Sequence, residues 1–189
     1  MIGGRSRAPI AWTAPRPTPR TERIVEAPRL LALQFVLSLL AYAAFGFWYV
    51  RPWLQTKPRA TALAILVFPQ TFRFIGVTLL VPGVVAPGLP EAFARSTAIG
   101  DILTTALAWL SLMALRAGWR LAIPAVWLFN LVGLGDLLLN LGRGVRLQVA
   151  SELGAAWFGP AFIVPGMLVI HVLVFVFLVQ SSPAGMRRP

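Results

Sequence analysis

Residues 162–179 read FIVPGMLVIHVLVFVFLV, a run in which His171 is the sole ionisable side chain. A hydrocarbon layer ~30 Å thick takes ~20 apolar residues of helix to cross, and 18 or more without charge make a transmembrane candidate. The run is continuous rather than alternating, which argues against a barrel strand. In a layer that holds no water, a helix satisfies its own backbone within one segment.

Four similar stretches lie upstream, from about Leu30 to Val50, Ala60 to Val81, Thr97 to Leu115 and Leu121 to Leu141. The first closes on Phe47, Trp48, Tyr49 and Trp53, and Trp157, Phe158, Gly159 and Pro160 stand before the last. Aromatic residues in such places mark a membrane–water boundary. The expected fold class is therefore all-α: a polytopic transmembrane helical bundle of about five spans over residues 29–181. Residues 1–28, broken by Pro9, Pro15, Pro17, Pro19 and Pro28, are expected to form a disordered Arg/Pro-rich tail, because proline at that density prevents an amphipathic helix. Residues 182–189 are expected to form a short basic tail. No apolar stretch of signal-peptide type occurs near the N-terminus.

Composition agrees. Of the 189 residues, 58% are hydrophobic and 12% charged, and mean hydropathy is +0.76. Ordinary soluble domains carry ~25% charged residues, and a water-soluble chain this apolar would expose large aggregating patches. The net charge of +11 does not point to nucleic acid. Apart from the tail, nearly all the arginines flank apolar stretches, where they meet anionic headgroups and set topology. The absence of cysteine removes disulfides, thiolate metal sites and cysteine nucleophiles. Localisation in a bacterial inner membrane is expected. Orientation is balanced: Arg16, Arg20, Arg23, Arg29, Arg95, Arg143 and Arg146 on one side face Arg51, Lys57, Arg59, Arg116, Arg120, Arg187 and Arg188 on the other. The further Arg5 and Arg7 of the tail favour an inner N-terminus.

The polar residues at membrane depth are the functional candidates. An ionisable group at a helix centre costs ~2.5–3.5 kcal/mol on insertion scales, so it is retained for a reason. Arg73, Asp101, Asp136 and His171 fall within apolar stretches. Gly100-Asp101-Ile102-Leu103 is echoed by Gly135-Asp136-Leu137-Leu138. With a tight turn near Gly118, spans three and four form an antiparallel hairpin, and both carboxylates then lie ~26 Å from that turn at 1.5 Å per residue. Asn130, Gly133, Asp136 or Leu137, and Asn140 follow the three-and-four spacing of one helix face. Arg73, Asp101, Asn130, Asp136, Asn140 and His171 are thus expected to share one half-membrane pocket. Arg73 would pair with one aspartate, leaving the other to titrate or to meet His171. Pro69 should kink span two and free the Ile65 carbonyl. The bland alternatives place Asp101 in the headgroup zone at a helix N-terminus, let Asp136 snorkel, start span two afresh at Arg73, and make His171 a hydrogen-bonded packing residue.

Catalytic chemistry finds few residues. There is no second histidine, HExxH or carboxylate run for a metal or two-histidine haem site. Ser96, Ser111 and Ser151 have no loop histidine to activate them, and the loop glycines lack nucleotide-binding spacing. No cofactor and no metal are expected.

Arg73-x-x-Gly76, Leu89-Pro90-x-x-Phe93-Ala94, Gly100-Asp101, Asn130-x-x-Gly133-x-x-Asp136-Leu137, then Pro165 and His171, form a pattern similar to that of small multi-pass bacterial membrane proteins of uncharacterised activity. The resemblance covers roughly residues 72–178. It implies that these polar positions belong together and implies no activity. The expected function is a non-enzymatic accessory or binding subunit with a buried polar network, its partners being the lipid bilayer and a membrane protein or second copy. The alternatives are a small proton- or ion-coupled transporter using the same cluster and, third, a membrane-embedded enzyme acting on a lipid or isoprenoid.

Overall fold

The computed structural model of the chain describes residues 20–180, with side chains from residue 26. These residues form helices joined by short connections, with no strand among them. α1 (Arg20–Phe45) runs through a π turn (Gly46–Val50) into α2 (Arg51–Gln55). α3 (Arg59–Val67) continues as a 3₁₀ segment (Phe68–Leu80). α4 (Glu91–Arg116) and α5 (Ala122–Arg146) are the long hairpin. Short 3₁₀ turns (Val149–Glu152, Gly154–Trp157) and a π turn (Gly159–Ile163) lead into α6 (Val164–Val179). Five of the resulting helical units are long and apolar enough to cross a membrane.

Three boundaries differ from the expected ones. The first helix begins at Arg20, so residues 20–28 are helical and Pro28 sits inside α1. Between Pro19 and Pro28 the sequence TERIVEAP offers no other helix breaker, and a single proline removes only one helical hydrogen bond. Residues 1–19 and 181–189, which hold the rest of the expected tails, lie outside the described residues. The third span begins at Glu91 rather than Thr97, with Pro90 in extended conformation before it and an acid in the first turn, where the helix dipole favours one. The fourth runs on to Arg146, because Arg143 and Arg146 suit the negative end of that dipole.

Span two does not kink at Pro69 and resume. From Phe68 it tightens into thirteen residues of 3₁₀ helix, far beyond the three or four residues usual for that form. With three residues per turn, positions three apart align along one edge. Gln70 and Arg73 are buried and Gly76 and Leu79 half-buried, while Phe72, Phe74 and Ile75 face outward.

The α4–α5 turn is as tight as expected. Gly118 takes φ +65°, and the Trp119 amide bonds back to the Ala114 carbonyl at 3.0 Å. All helices therefore end on one of two sides. The short-turn side holds residues 56–58 and 117–121. The long-loop side holds residues 81–90 and 147–158, which are tied together by Ala86 N–H to Glu152 O at 2.9 Å and Ala155 N–H to Val84 O at 2.8 Å. α3 with its 3₁₀ extension, α4, α5 and α6 enclose the interior, and α1 lies outside against α6. The short-turn half of that interior is apolar: Leu54, Leu63, Val126, Phe129, Leu173 and Val174 are almost fully buried. Burying one such side chain contributes ~1.5–3 kcal/mol relative to water. Between helices already in lipid, close packing is what discriminates one arrangement from another.

Candidate functional site

The charged residues gather in the long-loop half. Arg73, on the inner edge of the 3₁₀ segment, is 3% exposed and reaches across α4 to α5. Its Nε donates to Asp101 Oδ1 at 2.8 Å, and one terminal nitrogen donates to the same oxygen at 2.5 Å and to Asp136 Oδ2 at 2.6 Å. The other terminal nitrogen donates to the Gly133 carbonyl at 2.9 Å. Asn140 Nδ2 donates to the second oxygen of Asp136 at 2.9 Å. One guanidinium thus fastens three helical segments, using the planar fork of donors that lysine lacks. Burial makes such bonds strong and makes loss of one partner costly, ~3–5 kcal/mol, because a charge is left unpaired.

Two glycines make the approach possible. A Cβ at Gly76 would collide with Asp101 Oδ2, and a Cβ at Gly100 would collide with Asp136 Oδ1. Each carboxylate therefore sits in the space of a missing side chain on the neighbouring segment. This supplies a physical role for the glycines in the Arg73-x-x-Gly76 and Gly100-Asp101 motifs.

A second pair lies beside the first. Asn130 Nδ2 donates to the His171 backbone carbonyl at 3.2 Å, and Asn130 Oδ1 lies 2.7 Å from His171 Nδ1. A carbonyl can only accept, so the amide nitrogen must face it. Oδ1 then faces the ring, and Nδ1 carries the proton. The ring stacks on Phe129 with centroids 5.4 Å apart. His171 is fully buried and its Nε2 has no hydrogen-bond partner among the described residues. A Cβ at Gly133 would lie 2.7 Å from both His171 Cε1 and Thr104 Cγ2. Gly133 is thus the junction of the two groups: its carbonyl is held by Arg73 and its Cα is pressed by His171.

All six sequence candidates occupy this region, but not in the expected pairing. Both aspartates bind Arg73, so neither is left over for His171, whose partner is Asn130. The reason is reach: the 3₁₀ stretch presents a long arginine midway between α4 and α5, whereas His171 projects from α6 toward the buried amide of α5. Asp101 is also not in the first turns of its helix. With α4 beginning at Glu91, Asp101 lies ~15 Å along the helix at 1.5 Å per residue. It is also ~9 Å deeper than the exposed Arg95. Asn140 is half-buried and lies toward the long-loop end of the network.

Gln70, Gly76, Gly100 and Thr104 were not singled out as site residues. Gln70 Nε2 donates to the Met167 carbonyl of α6 at 3.2 Å, which ties the 3₁₀ segment to the fourth wall of the interior. Thr104 Oγ1 donates to the Gly100 carbonyl at 2.9 Å. The available signal was the three-residue spacing Gln70, Arg73, Gly76, Leu79 downstream of Pro69, which fits a 3₁₀ edge better than an α-helical face.

Two concavities among the described residues lie elsewhere. One of about 390 Å³ borders the loop of residues 81–90, and one of about 450 Å³ lies between α1 and Phe162. Neither is lined by the charged cluster.

Fold and site together define a multi-pass helical bundle held on one side by apolar packing and on the other by a buried arginine–dicarboxylate cluster. The chain belongs to the domain family of unknown function DUF8737, whose profile matches residues 30–179. The match contains every residue of the cluster. Neither the curated proteins nor the solved structures compared with the chain gave a match.

Proposed function

We propose that this protein is a non-enzymatic accessory or binding subunit of a bacterial inner membrane, whose polar interior fixes the shape of the bundle. The observation that carries this reading is the closure of the charged cluster. Arg73 places donors on both carboxylates and on the Gly133 carbonyl, and Asn140 occupies a further carboxylate oxygen. A network whose members bind one another specifies one helix arrangement and offers a substrate little. Support also comes from α1, whose most apolar window is only 6% buried against the rest of the chain and so presents a long lateral surface.

The test is affinity capture of the tagged full chain from membranes solubilised in mild detergent after brief cross-linking at native expression. A fixed membrane-protein partner, or a second copy, recovered in constant ratio supports the reading. A chain recovered alone, with no cross-linked species, overturns it.

A second reading, a proton- or ion-coupled transporter, is favoured by one specific observation. Two carboxylates face a single guanidinium, and the Asp136 side chain keeps 16% exposure. In proteoliposomes, Asp136→Asn should then abolish flux while the protein still inserts. For the subunit reading the same change leaves partner capture intact, because Arg73 keeps Asp101.

A further inference from the structure

The two membrane faces of the bundle differ in charge. The chain has six acids. Glu22 and Glu26 lie at the long-loop end of α1, Glu91 and Glu152 lie beside the long loops, and Asp101 and Asp136 lie in the long-loop half of the interior. None lies at the short-turn ends. Those ends carry Arg51, Lys57, Arg59, Arg116 and Arg120 instead, of which Lys57, Arg116 and Arg120 are exposed and Arg51 and Arg59 half-exposed.

None of these five cations has a carboxylate within ion-pair distance among the described residues, where the only ion pairs are those of Arg73 and the exposed Arg95–Glu91 pair. Two of the five are held in place without losing their charge. Arg59 donates from Nε to the Phe177 carbonyl at 3.0 Å and from a terminal nitrogen to the Leu178 carbonyl at 2.6 Å, closing the C-terminal end of α6. Its remaining donors have no hydrogen-bond partner among the described residues. Lys57 Nζ lies 5.2 Å from the centre of the Trp53 ring, within cation–π range. α3 also starts on this side without a side-chain N-cap, so its first amides are open to an anion. Trp48, Tyr49, Trp53 and Trp119, at least half exposed, stand in the same belt, at the level where tryptophan and tyrosine meet headgroups.

We propose that the short-turn face is a binding surface for anionic phospholipids, the headgroup phosphates lying among Arg51, Lys57, Arg116 and Arg120 with the acyl chains against the bundle. The occupant follows from charge and depth. Among the described residues the cations are unpaired and no acidic side chain lies beside them, and they ring the ends of membrane spans. A lipid phosphate is present there by geometry, whereas a soluble anion would have to be drawn from bulk water. The long-loop face mixes Arg29, Arg95, Arg143 and Arg146 with Glu26, Glu91 and Glu152, so it lacks this uniform field. The inference needs only that the helices span a membrane, and it stands apart from the subunit role.

The test is lipid titration of the purified full chain, followed by native mass spectrometry, with phosphatidylglycerol and phosphatidylcholine of matched acyl chains. The wild type should hold phosphatidylglycerol at least tenfold more tightly, and 0.5 M salt should remove most of the preference. In a quadruple variant (Arg51→Gln, Lys57→Gln, Arg116→Gln, Arg120→Gln) each lost cation should weaken phosphatidylglycerol binding about fivefold, equivalent to about 1 kcal/mol near a charged surface. Arg59 is left intact because it caps α6. The control changes Arg95, Arg143 and Arg146 to Gln on the other face and should keep the preference. Equal binding of the two lipids by the wild type, a preference indifferent to salt, or an equal loss in the control would overturn the proposal. If the quadruple variant does not fold, as judged by helical circular dichroism, the Arg116→Gln/Arg120→Gln pair in the α4–α5 turn decides, an unchanged preference there counting against the proposal.

Discussion

The two halves of the second span begin from the same kind of sequence and end as different structures. From Arg59 to Val67 the chain is α-helical, and Ala62, Leu63, Leu66 and Val67 are buried in an apolar core. From Phe68 to Leu80 it is 3₁₀-helical, and the buried residues are Gln70, Thr71 and Arg73. Hydropathy barely separates them, since the second half is rich in Phe, Ile, Val and Leu. What separates them is the shape of the edge each turns inward. A 3₁₀ helix rises ~2.0 Å per residue against ~1.5 Å for an α-helix, so the same number of residues reaches further across the membrane. Its side chains line up rather than spread over a broad face. The tighter form places one arginine where two antiparallel helices each offer an aspartate. Past Arg59, which caps α6, the α-helical half packs by shape; the 3₁₀ half packs by charge.

The sharpest way to break that contrast is Arg73→Leu. Two buried carboxylates would lose their common partner, and stability should fall by about 3–5 kcal/mol, read as loss of monodisperse protein on heating in mild detergent. Next come the glycines. Gly100→Ala forces a methyl group into the space of the Asp136 carboxylate and should cost about 1–3 kcal/mol. Gly135→Ala, on the same α5 turn but with nothing within reach of a new Cβ, should be neutral or slightly stabilising in the same assay. The aspartates should differ from each other. Asp101→Asn disturbs two bonds from Arg73 at the more buried carboxylate, whereas Asp136→Asn disturbs one bond from Arg73 and one from Asn140 at the more exposed one, and either change leaves Arg73 with one carboxylate. The first should destabilise measurably and the second by less than about 1 kcal/mol. The apolar half should respond to volume alone. Leu63→Met keeps core volume and should change stability by under about 1.5 kcal/mol, with no effect on the charged cluster.

Much of this was legible in the sequence. Residues 162–179 and their four relatives indicated an all-helical membrane bundle, and the two Gly-Asp pairs, placed symmetrically about Gly118, put both carboxylates at one depth. Proximity in a hairpin follows from counting, so Asp101, Asp136 and Asn140 could be grouped without coordinates. The pairing could not be read in the same way. It depends on the 3₁₀ stretch after Pro69, and a proline indicates that the α-helix is disturbed, not what replaces it. The roles of Gly76 and Gly100 were hidden for the same reason. A glycine that seats a carboxylate from another helix looks, in one chain, like any small residue in a membrane span. The first helix starts upstream of the expected point because the prolines of residues 1–28 are unevenly spread, and the stretch from Thr21 to Ala27 contains none.

The central claim is that Arg73 is the common partner of both aspartates inside the bundle. It is tested most directly by comparing the thermal stability of Arg73→Leu with that of Arg73→Leu/Asp101→Asn/Asp136→Asn. Neutralising the carboxylates that the first change strands should restore most of the lost stability, because the penalty lies in unpaired buried charge. A triple variant no more stable than Arg73→Leu, or an Arg73→Leu protein as stable as the wild type, would contradict it.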